Sequence, residues 1–267
     1  MKKLSLKIDN FEETIKLAKL RLLKMHYESK SGHIGGNFSC IDVLMVLHHL
    51  VLNSDDRFIL SKGHSAGALY VTLWSLGKFK DSDLETFCKN DTLLPGHPSG
   101  AGIPGLLFST GSLGHGPALA AGLAMAAKYQ NSDRQIYCLC SDGEWQEGSC
   151  WEALTFSVHH KLNNLTVIVD QNGLQGFGKT EDIISCSDLT HRILSFGAQV
   201  QHIDGHNWLA IKKALENKSS EKPNLLILDT IKGNGLHYEG KMESHYLPLS
   251  DEQYSAAYSK INGGNVG

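Results

Sequence analysis

Five short runs of apolar and β-branched residues, Arg57–Leu60, Gln135–Cys140, Leu165–Asp170, Ala198–Ile203 and Asn224–Ile231, each have the length of a β-strand. Between them the apolar spacing turns helical, over Ser39–Leu52, Ser65–Gly77, Pro117–Tyr129, Glu147–Lys161 and Asn207–Glu216. The third of these is Ala-rich and opened by Gly116-Pro117, a helix-start pair. Strand, helix, strand repeated in this way predicts an α/β fold: a mostly parallel twisted sheet with helices on both faces. Ligands of such sheets bind beyond the carboxyl ends of the strands, so the residues that follow each strand are where function is sought.

A chain of 267 residues, 41% of them hydrophobic, suits a single domain of the larger α/β kind. Residues 1–262 read as that domain, and 263–267 as a frayed tail. The 25 basic and 28 acidic residues leave a net charge of -3, which gives nucleic acid or an anionic membrane no electrostatic reason to bind. The N-terminus MKKLSLKIDNFEE is charged where a signal peptide needs an apolar stretch, and no later segment approaches roughly 18 uninterrupted apolar residues. A soluble cytoplasmic protein is expected. The six cysteines (Cys40, Cys88, Cys138, Cys140, Cys150, Cys186) show no CxxC spacing and read as reduced core residues.

Asp142 follows the second run and Asn172 the third, at the ends of strands consecutive in sequence, which pair by default. A carboxylate, an amide oxygen and a nearby main-chain carbonyl form a hard-oxygen set suited to Mg²⁺. Gly143 and Gly173 would let backbone approach a diphosphate. The competing reading is that Asp-Gly and Asn-Gly are turn formers. Thr110-Gly111-Ser112-Leu113-Gly114-His115-Gly116-Pro117 is neither GxGxxG nor a Walker loop, yet it opens a helix, whose free N–H groups favour an anion. A flexible turn explains it equally well. Of 14 histidines, four stand out in loop contexts outside the helical patterns, His33, His64, His97 and His245, the first three beside glycine. They lack metal-ligand spacing and suit acid/base and hydrogen-bonding roles. His48, His49, His159 and His160 fall within helical patterns, where packing is the expected role.

Taken together these segments resemble a family. Ser141-Asp142-Gly143 with the later Asn172 is similar to the thiamine-diphosphate motif GDG…N, with Ser141 in place of the first glycine. SGHIGGNFS at 31–39, FILSKGHS at 58–65, PGHPSG at 95–100, STGSLGHG at 109–116 and VDQNGLQGFG at 169–178 resemble, in this order, the motif series of transketolases, down to Ser244-His245-Tyr246. The resemblance implies thiamine diphosphate with Mg²⁺, or Ca²⁺ or Mn²⁺ in its place, and Asp142, Asn172 and the Leu174 carbonyl as metal ligands. It places Gly111, Ser112, Leu113, Gly143, Glu144, His64 and His245 along the cofactor, and assigns His33, His64, His97 and His245 catalytic roles in the substrate channel.

The implied activity is ketol transfer, moving a two-carbon unit from a ketose to an aldehyde. Two departures qualify it. Cys88 stands where the family commonly has an arginine, which leaves the substrate open. The chain also has no room for the pyrimidine-binding domain and its activating glutamate, so the resemblance implies a C-terminal partner subunit, most simply in an α₂β₂ heterotetramer. Rival readings are a 2-oxo acid dehydrogenase or deoxyxylulose-phosphate synthase subunit, and a regulatory pseudoenzyme.

Overall fold

The computed structural model describes residues 11–100, 102–185 and 188–263. Strands β1 (Arg57–Leu60), β2 (Ile136–Ser141), β3 (Leu165–Gln171), β6 (Gln199–Asp204) and β7 (Asn224–Asp229) form one sheet in the order β1-β2-β3-β7-β6. Every pairing is parallel. A two-stranded hairpin, β4 (Leu174–Gln175) and β5 (Gly178–Lys179), follows β3 directly. The five expected strands are those of the sheet, with ends displaced by one or two residues. Thr230 and Ile231 lie beyond β7, and the Thr230 hydroxyl bonds the Asp170 carboxylate instead.

Alternate residues of each strand enter different cores. In β2, Ile136, Cys138 and Cys140 pack on one side and Tyr137 and Leu139 on the other. Both faces are buried, which is why the strands read as continuous apolar runs. One side is covered by α1 (Phe11–Ser29), α2 (Ile34–Val46, prolonged by a π-helical turn to Val51), α3 (Ala66–Ser75) and α9 (Trp208–Glu216). The other is covered by α5 (Gly116–Tyr129), α6 (Gly148–His159) and α8 (Leu189–Phe196). Three single-turn helices, α4 (Asp81–Leu84), α7 (Thr180–Ile183) and α10 (Glu243–Tyr246), sit in connections, and α11 (Asp251–Asn262) returns to α1 through stacked Tyr27 and Tyr254, 4.2 Å apart.

Three helices, α1, α8 and α11, escaped the sequence pattern. In α1 the buried Phe11, Ile15, Ala18, Leu22 and Met25 are interleaved with lysines and glutamates that hide the stripe. Helix α2 begins at Ile34 rather than Ser39, taking in a glycine pair that reads as loop. A Cβ on Gly35 would lie 2.3 Å from Ser244 Oγ, so glycine serves close packing of α10 rather than flexibility. Ile34–Val51 is long and apolar enough to span a membrane, although Asn37, Asp42, His48 and His49 interrupt its apolar run, and most of it is buried inside the fold. The five described cysteines are free, and four are buried as expected; Cys88 is exposed. Cys186, the first ten residues and the last four of the tail lie outside the described residues.

Candidate active site

The carboxyl ends of β1, β2, β3 and β7 supply one polar cluster. After β1 come Ser61, Lys62 and His64; after β2, Asp142 and Glu144; at the end of β3, Asp170 and Asn172; beyond β7, Thr230 and Lys232. Asp142 is buried, its Oδ1 accepting from Gly143 N at 2.9 Å and its Oδ2 from Gly173 N at 2.8 Å and Thr180 Oγ1 at 3.1 Å. Burial raises its pKa, and the nearby negative charge of Asp170 adds to the rise. Asn172 Oδ1 accepts from Leu174 N at 3.1 Å, and the Leu174 carbonyl accepts from Lys232 Nζ at 2.9 Å. Asp142, Asn172 and the Leu174 carbonyl thus lie on neighbouring stretches of backbone.

The buried lysines are the part that sequence reading missed. Lys62 is fully buried and paired with Asp170, whose attraction outweighs burial and raises the lysine's pKa. Lys232 is 2% exposed, and burial, with repulsion from Lys62, lowers it to about 8. It therefore remains an ammonium at neutral pH. Its Nζ also lies 2.9 Å from His245 Nδ1. An ammonium only donates, so Nδ1 is the acceptor and Nε2 of the neutral ring carries the proton.

The four histidines outside the helical patterns converge. The ring of His33 lies 4.8 Å from that of His245, 5.6 Å from His97 and 5.9 Å from His64. Burial, helped by the neighbouring lysines, holds His245 down to about 3 and lowers His33 and His64 as well. Neutral imidazoles can both donate and accept, which suits them to sugar hydroxyls. His33 occupies left-handed backbone at φ 62, uncommon for a residue with a side chain, and its N–H donates to His245 O at 2.8 Å. Asn37 of α2 holds two of the four in place: its Nδ2 donates to the carbonyls of His33 and His64, and its Oδ1 accepts from Ala68 N. His48 and His49 sit in the π-helical turn, where His48 packs edge-on to Phe58.

The glycine-rich loop differs from its simplest reading. Gly114 N donates to Glu144 Oε1 at 3.0 Å and Gly116 N to Ser61 Oγ at 3.2 Å, while Pro117 has no N–H. The first N–H of α5 is therefore taken by Ser61, and the loop just before the helix is tied to the buried Glu144. Both Glu144 oxygens are engaged, by Ser61 and Gly114 on one and Ser141 on the other, so its side chain acts on a ligand only through the loops it ties together. Gly111, Ser112 and Leu113 remain exposed on the site side of that clamp. The approach of loops is tight: a Cβ on Gly63 would stand 2.7 Å from Gly111 N.

An α/β domain that concentrates buried charge and imidazole at its strand ends belongs to the enzyme domains that hold an anionic cofactor there. Comparison with known proteins names the family. Residues 13–264 match the transketolase, thiamine diphosphate binding domain, and the chain belongs to that family. It is 37% identical over 254 residues to one subunit of an apulose-4-phosphate transketolase of Phocaeicola vulgatus, covering 91% of this chain and 90% of that one. It is 36% identical over 242 residues to a 6-deoxy-6-sulfo-D-fructose transketolase subunit of a Clostridium species, covering 86% and 88%. Among solved structures, transketolase from Campylobacter jejuni superposes with a TM-score of 0.87 at 34% identity, covering 96% of this chain but only 43% of that protein. The chain thus spans nearly the length of relatives named as subunits and less than half of a full transketolase.

Proposed function

We propose that this chain is the diphosphate-binding half of a two-component, cytoplasmic transketolase, which moves a two-carbon ketol unit from a ketose to an aldehyde. The observation that carries this reading is the convergence of Asp142, Asn172, the Leu174 carbonyl and Lys232 beside His33 and three further histidines whose rings lie within 5.9 Å of it. The donor set fits a hard divalent cation. Asp142 and Asp170 repel one another in a buried setting that a cation relieves. Among the described residues no group of three or more His, Cys, Asp or Glu side chains is placed to hold a metal. A site of one carboxylate, one amide and one main-chain oxygen suits Mg²⁺, which takes its remaining ligands from phosphate and water.

Thiamine diphosphate, when bound, supplies the carbanion and electron sink for breaking and making the carbon–carbon bond. Asp142, Asn172 and Leu174 would hold the cation that carries its diphosphate, and Lys232 would balance the remaining negative charge. His33, His64, His97 and His245 would orient the sugar and move protons to and from its hydroxyl oxygens, with Nε2 of His245 as a donor. Exposed Leu113, Phe177, Tyr246 and Leu247 ring this cluster with apolar surface, which supports a second polypeptide closing the site. An α₂β₂ assembly is the simplest arrangement with two-fold symmetry.

Calorimetric titration of thiamine diphosphate into the chain with its second subunit tests the cation site. Binding is expected to require Mg²⁺, and Asp142→Ala to weaken it by more than the ~10–100-fold typical of losing an outer-sphere partner. Unchanged affinity in both Asp142→Ala and Asn172→Ala would overturn the assignment.

A further inference from the structure

At the end of β3 lies a carboxylate that no ligand can reach. Asp170 is fully buried beneath α2. Its Oδ2 accepts from Lys62 Nζ, from Ser39 Oγ at 2.5 Å and from Asn172 Nδ2 at 3.1 Å, and its Oδ1 accepts from the Thr230 hydroxyl. Four donors from four segments of the chain saturate it. The buried Lys62 is its ion-pair partner. Asp170 Oδ2 accepts from Lys62 and Ser39 as well, so the end of the Asn172 amide that meets it is the NH₂ group. Leu174 N–H, a donor, meets the other end and requires it to be the oxygen. Two independent contacts thus fix the same orientation of an amide that would otherwise be free to turn. The consecutive N–H groups of Gly173 and Leu174 gather Asp142 Oδ2 and Asn172 Oδ1 on one short stretch of backbone.

We propose that Asp170 is a positioning residue for the cation site: held by Lys62, Ser39 and Thr230, it locks the Asn172 amide so that its oxygen, not its nitrogen, is presented beside Asp142. This rests on the cation reading above. Lys62 has a matching role, since its donation to Asp170 Oδ2 holds that oxygen as an acceptor. An asparagine at 170 could donate or accept, and the Asn172 amide would then lose one of the two contacts that set its direction.

The experiment measures the Mg²⁺ concentration that half-saturates thiamine diphosphate binding, by tryptophan fluorescence of the chain assembled with its second subunit. Asp170→Asn is expected to raise that concentration by ~10–100-fold, as loss of an outer-sphere partner does. Ser39→Ala and Thr230→Val, which each remove one donor but leave the carboxylate facing Asn172, are expected to raise it by less than Asp170→Asn does. A buried, unpaired Lys62 can prevent Asp170→Asn from folding. The double variant Lys62→Met/Asp170→Asn removes both charges and carries the same expectation. A purely structural Asp170 would lower the melting temperature of the chain yet leave the half-saturating Mg²⁺ concentration unchanged in whichever variant folds, and that result overturns the proposal. If the unaltered protein binds thiamine diphosphate without any divalent cation, the cation reading itself fails, a separate outcome.

Discussion

The inner wall of the site and its outer rim are built in opposite ways. The wall, formed by Lys62, Glu144, Asp170 and Ser39, is sealed from solvent with its polar groups paired inside the chain. Buried charge of this kind is costly unless it is paired and hydrogen-bonded, and here Lys62, Glu144 and Asp170 all are. The rim is exposed or half-buried: His33, His97, Gly111, Leu113, Phe177 and Tyr246. His33 Nδ1 is buried without a hydrogen-bond partner among the described residues, and Phe177, at the tip of the β4–β5 hairpin, is 91% exposed. The wall is complete before anything binds, and the rim is not. A half-site that must meet both a cofactor and a second polypeptide is expected to divide its labour in this way.

If the division is correct, substitutions at the rim spare the wall. His33→Ala and His97→Ala should lower turnover of the assembled enzyme by ~10²–10⁴-fold, the usual contribution of acid/base groups, while thiamine diphosphate affinity stays nearly intact. Steady-state kinetics beside calorimetry separates the two. Should either variant lose cofactor binding as severely as Asp142→Ala, the rim and wall are one unit and the comparison breaks.

The sealed interior also carries a pH signature. His26, His48 and His245 are held by burial to about 4, about 3 and about 3, against an ordinary 6.5. In the unfolded chain each takes up a proton below about 6.5, and in the folded chain only near 3–4, so stability is lost as pH falls through that window. Burial raises Asp142 and Glu144, which pull in the opposite sense. Burial lowers His33, His49 and His64 as well, so six histidines stand against two carboxylates and the balance is a net loss. Melting curves of the chain between pH 7 and pH 4 should show it, and His26→Gln and His48→Gln should flatten the decline. A melting temperature independent of pH in the unaltered chain would contradict the burial account.

The smallest effect is expected at the most exposed rim residue. Phe177→Ala should change the stability of the lone chain by no more than ~0.5 kcal/mol, as surface substitutions do, yet weaken association with the second subunit. Analytical ultracentrifugation distinguishes these effects; an unweakened complex would remove Phe177 from the docking surface.

The sequence exposed the ligand-facing residues more fully than the wall behind them. Asp142, Asn172 and the histidines could be read because residue type and strand-end position are both local features. Lys62, Lys232 and Asp170 could not, because a lysine in a sequence reads as a solvated side chain, and only packing under α2 and α10 buries it. Asn37 was invisible for the same reason: its two carbonyl partners, on His33 and His64, are joined by folding and not by spacing. The loop of Gly111–Gly116 was legible as a ligand-binding segment, but its capping by Glu144 and Ser61 depends on two distant strand ends. Helix α1 stayed hidden because its stripe is narrow and flanked by charge.

Ketol transfer by the purified chain, supplied with thiamine diphosphate and Mg²⁺ and assayed with and without its second subunit, tests the central claim most directly. No turnover by the chain alone, with activity appearing as the second subunit is titrated in, is the expected result. Robust turnover by these 267 residues on their own would contradict the half-site account and require an activating carboxylate within this chain.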